Sequence, residues 1–136
     1  MATVKVQYNG DLQTSLIHEL SGAEVATDAP PDNNGKGRSF SPTDMIAASW
    51  LSCMMTIMAM KAENEGIDIK NATGSVEKIM QDTPRRIGSL NAKIFVPVNL
   101  TSEQEQKLIN AAKSCPVVLS LHEKIEQDVK IEFNSA

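Results

Sequence analysis

The chain has 136 residues, a formal net charge of −4 and two cysteines. That length supports a single domain over residues 1–136, large enough to bury roughly two thirds of its unfolded surface without a disulfide staple. The acidic balance leaves no basic face for a phosphate backbone, and aromatics at 4% offer no platform for stacking bases, so nucleic acid is excluded as a partner.

The first eight residues alternate like a strand, with no basic, apolar and cleavage-site succession, so a cytoplasmic location is expected. There a cysteine pair is catalytic, sensing or buried rather than permanently bridged. Alternation predicts strands over 3–8, 13–19 and 23–27, a β-meander across 1–27 with turns at Asn9-Gly10 and Ser21-Gly22. Residues 28–40 collect Pro, Asn and Gly and read as a loop; one this long in a compact domain is either functional or disordered.

Ser41-Pro42-Thr43-Asp44 announces a helix by three signals: a Ser N-cap, Pro at the first helical position and an acid at the third to close a capping box. The helix is expected over 41–65, ending at Gly66. Its apolar positions surround the axis instead of forming a stripe, which marks burial on nearly every side. Ser49, Ser52, Thr56 and Lys61 interrupt the run and leave it short of the ~20 predominantly apolar residues a bilayer requires, so a core helix, and no membrane partner, is expected.

A hairpin follows over 72–97, its strands at 72–81 and 88–97. A second helix opens at Thr101, with Gln104 as capping partner, and runs to about Lys113 with Leu108, Ile109 and Ala112 inward. Pro116 restarts a short helix over 117–122, so helices fill 101–122. A last strand covers 126–133, alternating most clearly from Asp128 to Phe133. Strands and helices in this order make an α+β domain.

The chemistry rests on few residues. Cys115 precedes Pro116 at a helix start, where backbone N–H groups favour a thiolate; it reads equally as a small apolar residue at a junction. Cys53 lies inside the long apolar helix, where a cysteine is inert filler unless a cation or hydrogen-bond donors reach its sulfur. Arg38 and the Arg85-Arg86 turn are the candidate cations, and each reads equally as a solvated charge. Asp44 is a cap by position, or a carboxylate that orients an arginine over the thiolate. His18 and His122 lack metal-ligand spacing with either cysteine, so no metal and no cofactor are expected. Met54, Met55, Met58 and Met60 are core filler or the wall of an apolar ligand site.

Taken together, Ser41-Pro42-Thr43-Asp44-Met45-Ile46-Ala47-Ala48 followed by Ser52-Cys53, then Ser114-Cys115-Pro116-Val117 and a closing strand, resembles the OsmC family of osmotically inducible and organic hydroperoxide resistance proteins. The loop from Thr27 to Asn33 and the Pro84-Arg85-Arg86-Ile87 turn are similar to one OsmC-like branch. The resemblance implies antiparallel sheets wrapped around two central helices, and an intertwined homodimer with sites at the interface. It implies a cysteine-based peroxidase in which Cys53 attacks a small apolar hydroperoxide, Cys115 resolves the sulfenic acid as a disulfide, and a dithiol reductant reopens it. The alternative is an OsmC-like stress-associated or apolar-ligand-binding protein with little turnover. Two positions depart from the better-characterised members: Thr43 stands where their glutamate follows the helix-start proline, with the acid one place later at Asp44, and Arg38 is the one arginine of the N-terminal half.

Overall fold

A computed structural model of the chain describes residues 1–134. The chain forms two compact units, one from Met1 to Ile46 and one from Ala47 onward. In the first, β1 (Val4–Gly10), β2 (Gln13–His18) and β3 (Glu24–Asp28) form an antiparallel sheet in sequence order. The first hairpin turns at Asp11-Leu12, not at Asn9-Gly10 as expected. Both turn residues have positive φ, 56° and 61°, the conformation a two-residue hairpin loop requires. Asn9-Gly10 instead ends β1, where Gly10 at φ 83° absorbs a slip in register between Tyr8 and Gly10.

Register places Val6 opposite Leu16 and Leu16 opposite Val25, so one face of this sheet is apolar. The chain leaves that face open: Val4, Val6, Tyr8 and Val25 are 46, 63, 64 and 42% exposed.

The glycine-rich loop is ordered. A 3₁₀ turn, Pro31–Asn33, is closed by N–H donors of Asn33 and Gly35 on the Pro30 carbonyl, both at 2.9 Å, and Gly37 N–H reaches the Ala29 carbonyl at 3.2 Å. Gly35 packs so tightly that a Cβ there falls 1.7 Å from the Ala29 carbonyl oxygen, which is backbone and unable to step aside. Gly35→Ala is therefore expected to lower stability by roughly 1–3 kcal/mol, read as a shift in the denaturant midpoint at unchanged m.

A buried carboxylate, Asp28, anchors the same loop. Arg38 donates to it from its backbone N–H at 2.9 Å and from Nε at 2.7 Å, and its Nη2 also meets Asp11 at 3.2 Å. Those bonds hold the Asp28 carboxyl below the usual carboxylate range, chiefly through the Arg38 side chain. The sign follows from linkage. Folding favours the charged form, so the contribution is complete above the unfolded carboxylate's pKa of ~4 and is lost as pH falls through the lower, folded value. Acid titration of the denaturant midpoint is expected to show this decline, and Arg38→Met to flatten it.

The second unit continues the long helix α1 (Pro42–Asn64) from Ala47 and adds β4 (Thr73–Gln81), β5 (Arg86–Val96), α2 (Ser102–Lys113), α3 (Pro116–Ser120) and β6 (Glu126–Phe133). Its sheet has the order β4-β5-β6. The expectation of wholly antiparallel sheets is corrected here: β6 runs parallel to β5, with Ser89 opposite Glu126 through Val96 opposite Phe133. A strand that returns to its sheet by a helical crossover arrives parallel, and α2 and α3 are that crossover. The third helix occupies Pro116–Ser120, one residue earlier at its start and two shorter at its end than expected.

Both predicted capping boxes are present. Asp44 N–H donates to Ser41 Oγ at 3.1 Å while Ser41 N–H donates to the Asp44 carboxylate at 2.9 Å. Thr101 and Gln104 repeat the arrangement at α2. The core gathers Trp50, Met54, Met58 and Ala62 of α1, Leu90, Ile94 and Val96 of β5, and Leu108 and Ala112 of α2. At 23 residues, with an 18-residue stretch of mean hydropathy 1.4, α1 is in fact long and apolar enough to cross a membrane, contrary to the sequence estimate. Its packing in this core accounts for the same composition.

Candidate redox site

The two cysteines come together within the second unit. Cys53 lies mid-way along α1, half-buried, and Cys115 is the fully buried N-cap of α3. Both are free thiols, and Cys53 is a close enough neighbour to act on the Cys115 thiol. The local sequence explains the second position. Pro116 starts α3 with no N–H to lose, and Cys115, extended at φ −69° and ψ 151°, turns its sulfur back to accept the Val118 N–H at 3.4 Å.

Burial pushes the Cys115 thiol up from its ordinary value, and the neighbouring Cys53 pushes it further, against the pull of the Val118 N–H. Burial thus favours the protonated form of Cys115. The two sulfurs differ in burial, one half-buried and one sealed.

The other candidates are engaged elsewhere. Arg38 is held by Asp28 and Asp11, and Asp44 caps Ser41. Arg86 donates from Nη1 to the carbonyls of Ile87 at 3.0 Å and Lys124 at 3.5 Å. His18 Nδ1 meets Ser21 Oγ at 2.6 Å, and His122 Nδ1 accepts the Lys124 N–H at 3.0 Å. Among the methionines, Met54 and Met58 are core, Met60 is 54% exposed, and Met55 lines a groove of about 790 Å³ with Leu51, Ala59, Ile67, Ile69 and Val76.

Two residues that the sequence reading passed over complete the surroundings. The buried indole of Trp50 donates to Gln127 Oε1 at 2.9 Å, and Gln127 Nε2 donates to the Val118 carbonyl at 3.2 Å. Gln127 shares a strand face with Val129, Ile131 and Phe133, which pack on the core. A polar, exposed residue opening that otherwise apolar strand face was the available signal; reading the alternation only from Asp128 missed it.

Residues 35–130 match the model of the OsmC-like protein family. The chain belongs to that family. It is 46% identical to a candidate osmotic-stress-induced and detoxification-response protein from Psychrobacter arcticus 273-4, with 96% of each chain covered and a TM-score of 0.93. An OsmC-like protein from Mycoplasma pneumoniae superposes with a TM-score of 0.80 at 15% identity, covering 97% of this chain and 96% of that one. The organic hydroperoxide resistance protein OhrB of Bacillus subtilis gives 0.65 at 22% identity, covering 98% of each. Curated proteins yield no match. The α+β arrangement of two sheets and two main helices is thus the OsmC-like fold.

Proposed function

We propose that this OsmC-like protein is a thiol peroxidase that reduces organic hydroperoxides through Cys53, with Cys115 as the resolving thiol. The observation that carries the reading is the juxtaposition of two free thiols, with one sulfur half-buried and the other sealed. The Cys53 thiolate attacks the terminal peroxide oxygen; the O–O bond breaks, the alkoxide takes a proton to leave as the alcohol, and Cys53 becomes a sulfenic acid. The Cys115 sulfur then attacks Cys53, its proton leaving with the displaced hydroxide as water, and a disulfide forms. A dithiol reductant returns both thiols and is itself oxidised to a disulfide. The names borne by family relatives, osmotic stress, detoxification and organic hydroperoxide resistance, agree with this chemistry.

The working unit in this reading is a homodimer in a reducing, cytoplasmic compartment. Its support is the open apolar face of β1–β3 and the groove along α1, surfaces that a lone chain leaves wet.

Steady consumption of cumene hydroperoxide with a dithiol present is the expected result; none, at any reductant, sinks the proposal. The groove lined by Leu51, Met55 and Ile67 favours a second reading, an apolar-ligand carrier. Native mass spectrometry retaining an added fatty acid, with no peroxide turnover, would select it.

A further inference from the structure

One amide joins the two helices that carry the thiols. Gln127, in β6, accepts from Trp50 on α1 and donates to Val118 on α3. Trp50 lies about one turn from Cys53, and the Val118 N–H is the donor to the Cys115 sulfur. We propose that Gln127 is a positioning residue: it fixes α3 against α1 so that Cys115 meets the oxidised Cys53.

Three observations support the assignment. Gln127 is itself exposed, unlike the partly buried Val129, Ile131 and Phe133 farther along the same strand face, so its two hydrogen bonds rather than core packing hold its amide. Both ends of that amide are occupied, one by a buried indole and one by a helix carbonyl, which locks its orientation. Beside it lies a cavity of about 290 Å³ bounded by Trp50, Met54, Val118 and Val129, so α3 has room to shift once the amide releases it.

Disulfide geometry makes such a clamp consequential. The bond forms only when the two Cα atoms lie roughly 4.4–6.8 Å apart with the Cβ vectors converging. A small displacement of α3 lowers the effective concentration of one sulfur at the other.

The proposal rests on the thiol-peroxidase reading, and its test separates the two. Gln127→Leu removes both bonds. Gln127→Glu keeps an acceptor for the indole but has no donor for the Val118 carbonyl. Sulfenic acid at Cys53, trapped with dimedone in a Cys115→Ser background, is expected to form within twofold of the parent rate in both variants. Closure of the Cys53–Cys115 disulfide, read by peptide mapping, is expected to slow at least tenfold in both.

The same closure is driven in parallel by diamide, which becomes the hydrazine as the two thiols give up two electrons and two protons. Slow closure with diamide supports the clamp even where hydroperoxide leaves the parent protein untouched, an outcome that removes only the peroxidase reading. Parent-like closure in Gln127→Glu, at an unchanged melting temperature, overturns the proposal, because the residue then does no more than satisfy the indole.

Discussion

Cys53→Ser is expected to abolish hydroperoxide turnover, by roughly three orders of magnitude or more, while Cys115→Ser keeps one turnover and then stalls. The first expectation follows from losing the attacking atom, for which the hydroxyl of serine is a poor replacement at neutral pH. The second follows from the geometry. With Cys115 gone, Cys53 still reacts with the peroxide, but its sulfenic acid has no neighbouring thiol and advances to sulfinic acid under excess oxidant. Burst kinetics with cumene hydroperoxide distinguish the two variants: no burst for Cys53→Ser, and one equivalent without steady turnover for Cys115→Ser. The reverse pattern would make the buried sulfur the nucleophile. The exposure of the pair argues against that, since Cys115 is sealed and its proton is held more tightly than usual.

A second large effect is expected on the face of β1–β3. Val6→Asp places a carboxylate amid Val4, Tyr8, Leu16 and Val25, on a surface the homodimer would bury. An unpaired buried charge costs about 3–5 kcal/mol, which weakens association by roughly two to four orders of magnitude. Sedimentation velocity is expected to show a dimer for the parent and a monomer for Val6→Asp at micromolar concentration. Equal dimer content in both would place the interface elsewhere. Lys5→Asp, on the opposite face of the same strand, serves as the control.

Much of this organisation is legible in the sequence, because local chemistry dictates it. Ser41 with Asp44 and Thr101 with Gln104 are reciprocal donors and acceptors three residues apart, and both close as read. Cys115 before Pro116 defines a helix start from two residues. The failures came where distant pairing overrides a local signal. Asn9-Gly10 is a strong turn dipeptide, yet the register of β1 on β2 moves the turn to Asp11-Leu12 and leaves Gly10 as a bulge. The parallel placement of β6 depends on the path of α2 and α3, which no window of residues contains.

The site divides in the same way. Each cysteine could be assigned a local environment, but their juxtaposition needed α1 and α3 in place, and the resemblance alone linked them beforehand. Arg38 was a candidate partner for a thiolate on composition. Its carboxylate partners are Asp28, at the end of its own loop, and Asp11, in the first hairpin turn, neither of them readable as a pair from spacing. Trp50 and Gln127 lie far apart in the chain and meet only in the folded protein.

The most direct test of a paired-thiol peroxidase is stoichiometric. Reduced protein is mixed with one equivalent of cumene hydroperoxide, quenched by alkylation and mapped by peptide mass spectrometry. The account predicts one Cys53–Cys115 disulfide and one cumyl alcohol formed per chain. Two alkylated thiols beside intact hydroperoxide would contradict it.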